Sequence, residues 1–497
     1  MVAANKYQAR HHQFTGRKAW QGRQSPQAKL IAAYEHKIKY LQQEIEQKDK
    51  RIEELESQLA KAKKNSRTSS KPPSSDIVKK KQAEKKSKGK RRKGGQKGHK
   101  KHEREPFSED QVKDCFEYSI DTCPDCGHML EAMADKEPKV IQQVEVKKVL
   151  VEVNEHRGLP FWCEHCQKVH YAALPQEIER AGLIGPELTA HIAYWKGFGH
   201  LSYSALSKCL AEIYGIPGKP LSTGFLVKLV QKVSHALFHP YKELEAMLAL
   251  QEILNIDETG HKHNGKPYWT WCFRAELFTF FHIADTRGTE VLFDLLGREF
   301  AGIIGCDLFS AYKKFMAESC AMVQFCLAHL IRDIRYLTTL PDKVTKNYAE
   351  RLLDRVRDLF KVIHRREAMT TKRFGHKLKE IKKTIIATAK RAPNRTDARR
   401  LAKRFREYGE QYFTFITTPG LEPTNNLAEQ AIRFVVLDRK VSQGTRSPRG
   451  DEWCERIWTT IATCKQQGIS VFEFIRDAIY VDFTGQAAPS LLRVDSS

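Results

Sequence analysis

EILNID, residues 252–257, is an apolar run that ends on a carboxylate, and the segments after it decide the fold. YWTWCF (268–273) and LFTFFHIA (277–284) read as two more strands joined by short turns. Residues 288–297 carry a helical pattern, GIIGC (302–306) reads as a fourth strand, and Asp307 stands at its end. Short aromatic and β-branched runs bounded by turn residues are the mark of buried strands. Three meandering strands, a helix and a further strand make the opening of a ribonuclease-H-like fold. An apolar strand ending in Asp puts a costly carboxylate at the sheet edge, where metal binding accounts for it. A single strand-terminal Asp capping a turn is common. Two on separate strands are harder to explain that way.

A third acid is expected from a later helix. Pro423-Thr-Asn-Asn-Leu-Ala-Glu429-Gln-Ala-Ile-Arg433 fits, with Asn425 or Asn426 able to cap and Leu427, Ala431 and Ile432 able to face inward. Glu429 and Arg433 lie one turn apart, which an ordinary surface pair would also give. Arg433 is also a candidate DNA contact, and Arg439, Lys440, Arg446 and Arg449 follow in a Gly/Ser-rich stretch suited to gripping a phosphate backbone. The 122 residues from Asp307 to Glu429 leave room for a helical insertion over 341–415, rich in sequence such as LLDRVRDLFKVIHRR. Cys326-x-x-His329 closes an expected fifth strand, and packing explains it better than metal binding. Glu258, beside Asp257, is expected to point to the other face of its strand.

Ahead of this core the chain changes character several times. Residues 1–28 are polar and irregular. From Ile31, Tyr34, Ile38, Leu41, Ile45, Ile52, Leu55 and Leu59 recur at alternating three- and four-residue steps, with only Lys48 interrupting the seam. That spacing keeps one stripe facing a partner helix, so 29–64 reads as a coiled coil rather than a lone helix. NSRTSSKPPSSD (65–76) opens a basic linker, 65–110, that includes 79–104 with 14 Lys/Arg against Glu84 and Glu103. Such a block stays extended. Lys90, Arg91, Arg92 and Lys93 within it are candidate phosphate contacts, although a solvated tail has the same composition. Cys123-Pro-Asp-Cys126 and Cys163-Glu-His-Cys166, 36 residues apart, have the spacing of a structural zinc site in a ribbon over 111–175. Gly127 suits the left-handed turn a knuckle needs, Val140 to Val153 alternates as a ribbon strand does, and His165 and His170 are alternative ligands. Helical segments at 186–198, 204–214 and 222–233, the last two joined by GIPGKP, make 176–248 compatible with a helix-turn-helix reader or with ordinary helical packing.

The totals agree with a polyanionic partner. There are 84 Lys+Arg against 60 Asp+Glu, a formal charge of +24; neutralising phosphates with such cations releases condensed counterions. No apolar run is long enough for a bilayer and the N-terminal stretch lacks the apolar core of a secretory signal, so no membrane is expected and the expected location is the cytoplasm. In that reducing compartment the 12 cysteines are expected to be thiols or metal ligands.

LNIDETG (254–260), GCDLFSAY (305–312), FCLAH (325–329) and EPTNNLAEQAIR…DRKVSQGTRSPRG (422–450) resemble the transposases of the insertion sequence 66 family. SKPPSSD, GGQKGH and the paired knuckles do so too, in matching order from about residue 30 to residue 480. The resemblance implies a catalytic triad of Asp257, Asp307 and Glu429 holding two Mg²⁺ (or Mn²⁺) ions about 3.5–4 Å apart. It implies cleavage and strand transfer at the ends of an insertion sequence, with double-stranded DNA as both element end and target. A homodimer or higher oligomer, and small accessory proteins of the same element, are the further partners it suggests, in a bacterial cell with the protein on the nucleoid when bound. The expected architecture is therefore multidomain α+β: coiled coil, zinc ribbon, helical DNA-binding module, and a ribonuclease-H-like core over 249–340 and 416–482 interrupted by the insertion, with a tail at 483–497. The rival readings are a DNA-binding protein without strand transfer, such as a domesticated regulator, and an RNA-processing or repair nuclease on the same fold.

Overall fold

The structure is a computed structural model and describes residues 26–62, 108, 112, 115, 125–129, 151–163, 165–215 and 221–492. The basic run 79–104, Lys90 to Lys93 included, Cys123 and the expected ribbon strand over 140–150 lie outside these residues. The chain divides into two compact units, 1–78 with 327–420 and 79–326 with 421–497.

In the first unit, α1 (Pro26–Ala62) is one unbroken helix. Its heptad side chains are exposed, from Leu41 at 44% to Tyr34 at 60%, with i,i+4 pairs Lys48–Glu44 and Lys50–Glu46 along its flank.

The second unit begins, in its described part, with a short hairpin, β1 (Pro160–Cys163) against β2 (Lys168–Tyr171). Helices α2 (Gln176–Ala181), α3 (Pro186–Gly197), α4 (Tyr203–Glu212), α5 (Thr223–Ala236) and α6 (Phe238–Met247) follow. Ser202 caps α4 through Ala205 N at 3.2 Å and Ser222 caps α5 through Phe225 N at 3.2 Å, satisfying N–H groups that no helical carbonyl reaches. Ile184, Ile192, Leu206, Leu210, Leu226 and Leu229 make the core shared by α3, α4 and α5.

Next come β3 (Ile253–His263), β4 (Lys266–Arg274), β5 (Thr279–Ala284), α7 (Glu290–Leu296), β6 (Ile303–Cys306), α8 (Ser310–Glu318) and β7 (Met322–Phe325). The strands form one mixed sheet in the order β5-β4-β3-β6-β7. β3, β4 and β5 are antiparallel; β6 and β7 run parallel to β3. Asn264 and Gly265, both at positive φ, make the two-residue turn from β3 to β4, the Asn-Gly signal whose twist matches paired strands. Trp271, Phe273, Phe280, Phe281, Phe315 and Phe325 are fully buried around the sheet.

The sequence predicts that the first strand ends at Asp257, and the structure corrects this. β3 continues six residues further to His263, and Asp257 is placed instead where the shorter neighbour β6 runs out.

The first unit then takes up α9 (Leu327–Leu337), α10 (Lys343–Ile363), α11 (Thr371–Lys390) and α12 (Thr396–Tyr408). α10 buries Tyr348, Ala349, Leu352, Leu353, Val356 and Leu359 along one face and packs on the other three. Tyr348 OH donates to Ala389 O at 2.6 Å, and Arg404 pairs with Asp333 at 2.7 Å. The second unit closes with α13 (Asn426–Ser442), α14 (Pro448–Gln467) and α15 (Val471–Thr484). α13 lies on β3 and β4, α14 on β5, and α15 on α2, α3 and α5.

Strand β5 is an edge, and its outward N–H groups need partners. α14 supplies them from one stripe: Thr463 Oγ1 accepts from Thr279 N (3.2 Å), Thr459 Oγ1 from Phe281 N (3.0 Å) and Glu455 Oε1 from Ile283 N (2.7 Å). The i, i+4, i+8 spacing on the helix thus matches every second residue of the strand. No helix of the described residues is long and apolar enough to cross a membrane.

Candidate active site

Asn255 pairs with Gly305 across the parallel β3–β6 ladder. Continuing that register by two residues puts Asp257 of β3 beside Asp307, one residue past the end of β6, with the paired strands about 4.8 Å apart. Phe309 N donates to Asp307 Oδ1 at 2.8 Å, which fixes that carboxylate in the turn leading to α8. Glu429 sits in the first turn of α13, the helix that packs over β3.

Burial, followed by the charges of Glu258, Asp307 and Glu429, holds the Asp257 carboxyl well above the usual carboxylate range. Like charges crowded into a partly buried place raise one another's pKa, and a bound cation relieves that repulsion. Asp257, Asp307 and Glu429 would offer hard carboxylate oxygens, the donor type that suits Mg²⁺ or Mn²⁺.

Glu258 is otherwise engaged. Its side chain is 1% exposed; Oε1 accepts from Arg287 Nε at 2.7 Å and from Arg287 Nη2, and Oε2 accepts from the Tyr312 hydroxyl. The Arg287 guanidinium lies 3.8 Å from the Phe309 ring centroid and 4.8 Å from that of Trp269. The sequence held no signal for this partnership, since Glu258, Arg287 and Tyr312 come from three separate segments.

The residue that places Glu429 is Asn425. Its Nδ2 donates to Ile256 O at 2.7 Å and its backbone N donates to Cys326 Sγ at 3.2 Å, while its carbonyl accepts from Glu429 N at 3.2 Å. One residue thus joins the helix start to β3, directly before Asp257, and to the end of β7. It occupies the N-cap position without capping by its side chain, which corrects the capping role expected from sequence. Cys326 is buried and serves as an acceptor here. His329, on α9 of the other unit, lies 3.2 Å from Arg332. Asn425→Ala is expected to lower stability by about 1–3 kcal/mol, because the buried Ile256 carbonyl loses its donor. A thermal melt that matches the unmodified protein would show that Asn425 holds nothing.

Beyond Asp257, alternate residues of β3 meet the end of α13, the connection after it and the start of α14. Arg439 Nη1 donates to Thr259 Oγ1 at 3.2 Å, His261 Nε2 lies 3.1 Å from Thr445 Oγ1, and His263 Nδ1 lies 2.5 Å from Asp451 Oδ2. Thr445 Oγ1 also donates to Asp451 Oδ1. Burial pushes His261 down to about 4 against the opposing charge of Asp451, so at neutral pH it is an uncharged hydrogen-bond partner. Gly444 has φ +94, and a Cβ there would lie 2.2 Å from Lys262 O; only glycine permits this approach. Of the basic residues expected in a loop, Arg439 and Lys440 are in the last turns of α13, Arg446 is in the connection, and Arg449 is in the first turn of α14. Arg433, Lys440, Arg446 and Arg449 are exposed and Arg439 is half-buried.

A second cluster lies at the β1–β2 turn. Ligand atoms of Cys163, Cys166 and His170 all fall within 4.8 Å of one another, with Cys166 Sγ 3.2 Å from His170 Nε2. The Cys166 backbone N–H, then its thiol and the His165 N–H, hold the Cys163 thiol below its ordinary value. Thiolate character and an imidazole suit zinc. Cys126 is exposed in the 125–129 turn and outside this group, although Gly127 beside it has φ +76.

The model of the Transposase IS66 family matches residues 181–452, more than half of the chain. The chain belongs to this family. The match takes in the whole five-stranded sheet, all three acids and the Asn425 tether of the IS66-family protein. Residues 23–105 match a family of unknown function (DUF6444). An uncharacterized protein, y4hP of Sinorhizobium fredii (strain NBRC 101917 / NGR234), is similar: 22% identical over 398 residues, covering 72% of this chain and 70% of that protein.

Proposed function

We propose that this IS66-family chain is a DNA transposase that cuts and rejoins DNA at the ends of an insertion sequence, with Asp257, Asp307 and Glu429 holding divalent metal. The observation that carries the reading is the parallel register of β3 against β6, which, continued by two residues, sets Asp257 beside Asp307 just past the end of the shorter strand. The sheet order, with three antiparallel strands followed by two parallel ones, supports a ribonuclease-H-like core. Mg²⁺ or Mn²⁺ bound there supplies charge stabilisation for the attacking and leaving oxygens of an in-line displacement at phosphorus.

The protein's own groups divide the remaining work. Asn425 keeps Glu429 in register with Asp257. Arg287 neutralises Glu258 and keeps it from competing for metal. Arg439, Lys440, Arg446 and Arg449 hold the DNA backbone along the outer half of β3. In the first step water attacks a phosphodiester, forming one P–O bond and breaking another to leave a 3′-hydroxyl. In the second that hydroxyl attacks target DNA in the same way. Purified protein given Mg²⁺ and labelled DNA carrying the inverted repeats that flank its gene should yield nicked ends and then joined products. Absence of both products would overturn the reading.

The cluster at the β1–β2 turn is proposed to hold a structural zinc, with Cys163 and Cys166 as two ligands and the rest drawn from Cys123, Cys126 and His170. Elemental analysis should find one zinc per chain. Cys163→Ser should lose it and unfold the surrounding segment, since metal binding there is folding energy. Well-folded protein free of zinc would end this assignment.

A further inference from the structure

Between α5 and α14 lies a cleft of about 380 Å³, lined by Lys228, Lys232 and His235 of the first helix and Arg449, Glu452 and Arg456 of the second. Four permanent cations thus face one carboxylate. We propose that this cleft grips the phosphate backbone of double-helical DNA that flanks the reacting site.

The geometry of α5 argues for it. The helix buries Leu226, Leu229, Val230, Val233, Ser234 and Ala236 and is packed against α3, α4, α14 and α15. Beyond the exposed first-turn residues Thr223 and Gly224, what remains toward solvent along the helix is the stripe Lys228, Lys232 and His235, with Gln231 half-buried between them. A helix enclosed on its other sides cannot enter a major groove to read bases with its whole flank. Its free stripe is cationic, and cations position a backbone without reading sequence.

Several of these side chains are held in place before any ligand arrives. Lys232 Nζ donates to the last carbonyls of α2, Arg180 O at 2.7 Å and Ala181 O at 3.1 Å. Arg456 Nη1 donates to Ser234 O at 3.0 Å and Ser234 Oγ at 3.1 Å. Glu452 lies 3.3 Å from Arg456 Nη2 and offsets part of the positive field. Lys228 and Arg449 make no ion pair among the described residues, so their charges are left for an anion.

The cleft also continues the path already described. Arg449 is two residues from Asp451, whose carboxylate holds His263 at the far end of β3. Six residues separate His263 from Asp257, about 20 Å along a strand, which corresponds to about six nucleotides at 3.4 Å each. This spacing rests on the carboxylates being the cleavage site; the affinity of the cleft for phosphates does not.

The test is equilibrium binding of the full chain to a fluorescently labelled random-sequence DNA duplex, without added Mg²⁺, across a sodium chloride series. Lys228→Ala with Arg449→Ala should weaken binding to any sequence about tenfold or more and lower the slope of log affinity against log salt by about 1.8, some 0.9 for each phosphate no longer neutralised. Glu452→Gln should do the opposite and tighten binding, because it removes a carboxylate from the path of the phosphates. A merely structural role for these side chains moves neither quantity. An unchanged slope and affinity in the double variant, with its melting temperature intact, would overturn the proposal. So would Glu452→Gln weakening the complex, or a duplex RNA bound more tightly than the DNA and losing as much on substitution.

Discussion

Asp257→Asn, Asp307→Asn and Glu429→Gln are each expected to reduce strand cleavage at least a thousandfold while leaving DNA binding within a few-fold of the unmodified protein. A loss of that size corresponds to about 4 kcal/mol of transition-state stabilisation, in line with the several kcal/mol that metal-borne charge stabilisation supplies. Binding survives because none of the proposed DNA contacts is one of the three acids: Lys228, Arg446 and Arg449 come from other segments, and Arg439 and Lys440 stand at the opposite end of α13 from Glu429. Stability offers an independent readout. The Asp257 carboxyl is held above its ordinary value by burial and by Glu258, Asp307 and Glu429. A carboxylate whose folded pKa is raised resists ionisation, so it costs stability once the pH exceeds its unfolded pKa of about 3.9. At neutral pH and without divalent metal, Asp257→Asn should therefore melt no lower than the parent. Adding Mg²⁺ or Mn²⁺ should raise the parent's melting temperature and not that of Asp257→Asn. Glu258→Gln makes the contrast: it leaves Arg287 without its buried partner and should melt lower, yet keep the metal-dependent rise. Full cleavage by any of the three triad variants would remove that residue from the site.

How much of this was legible in the residues depends on whether the signal was local. EILNID, YWTWCF, LFTFFHIA and GIIGC are buried strands because each is a mainly apolar or aromatic run, and the structure starts β3 on the first and places β4 to β6 on the others within a few residues. The extension of β3 past Asp257 was not legible. DETGHKH is polar, and its strand conformation depends on Arg439, Thr445 and Asp451 arriving from about 180 residues away. The start of α14 was within reach, since Ser447-Pro448 is a cap followed by a first-turn proline. The surrounding glycines and arginines made the whole stretch read as loop. Asn425 carried a correct position and a wrong role: a helix-capping Asn and an Asn that tethers a helix to a neighbouring strand have the same sequence signature. The Thr459 and Thr463 acceptors for edge strand β5 gave no signal at all, because their value arises only when helix and strand spacings are brought together. In each case the missed feature is a side chain whose partner lies far along the chain.

Deleting residues 1–64 should abolish paired-end complexes while leaving the zinc content, the fold of the remainder and the binding of a single DNA end in place. Transposition requires two ends held together, so the working form needs at least two chains. α1 offers the means: Ile31, Tyr34, Ile38, Leu41, Ile45, Ile52, Leu55 and Leu59 repeat with coiled-coil spacing, and all eight side chains are exposed on the isolated helix. Burying an aliphatic side chain of this size contributes about 1.5–3 kcal/mol, so even partial burial of the seam against a second copy outweighs the cost of association. Lys48, the one polar seam position, is paired with Glu44 at 2.8 Å on its own helix, which lets it lie along a dimer rim. Removal of 79–104 should behave differently. That run carries 14 Lys/Arg and no heptad, so its loss should weaken binding to every sequence and flatten the salt dependence, since phosphate contacts set that slope. Sedimentation of protein with two labelled ends separates the first effect, and binding across a salt series separates the second. If the chain without 1–64 still brings two ends into one complex, pairing is carried by the rest of the protein and the coiled-coil role of α1 fails.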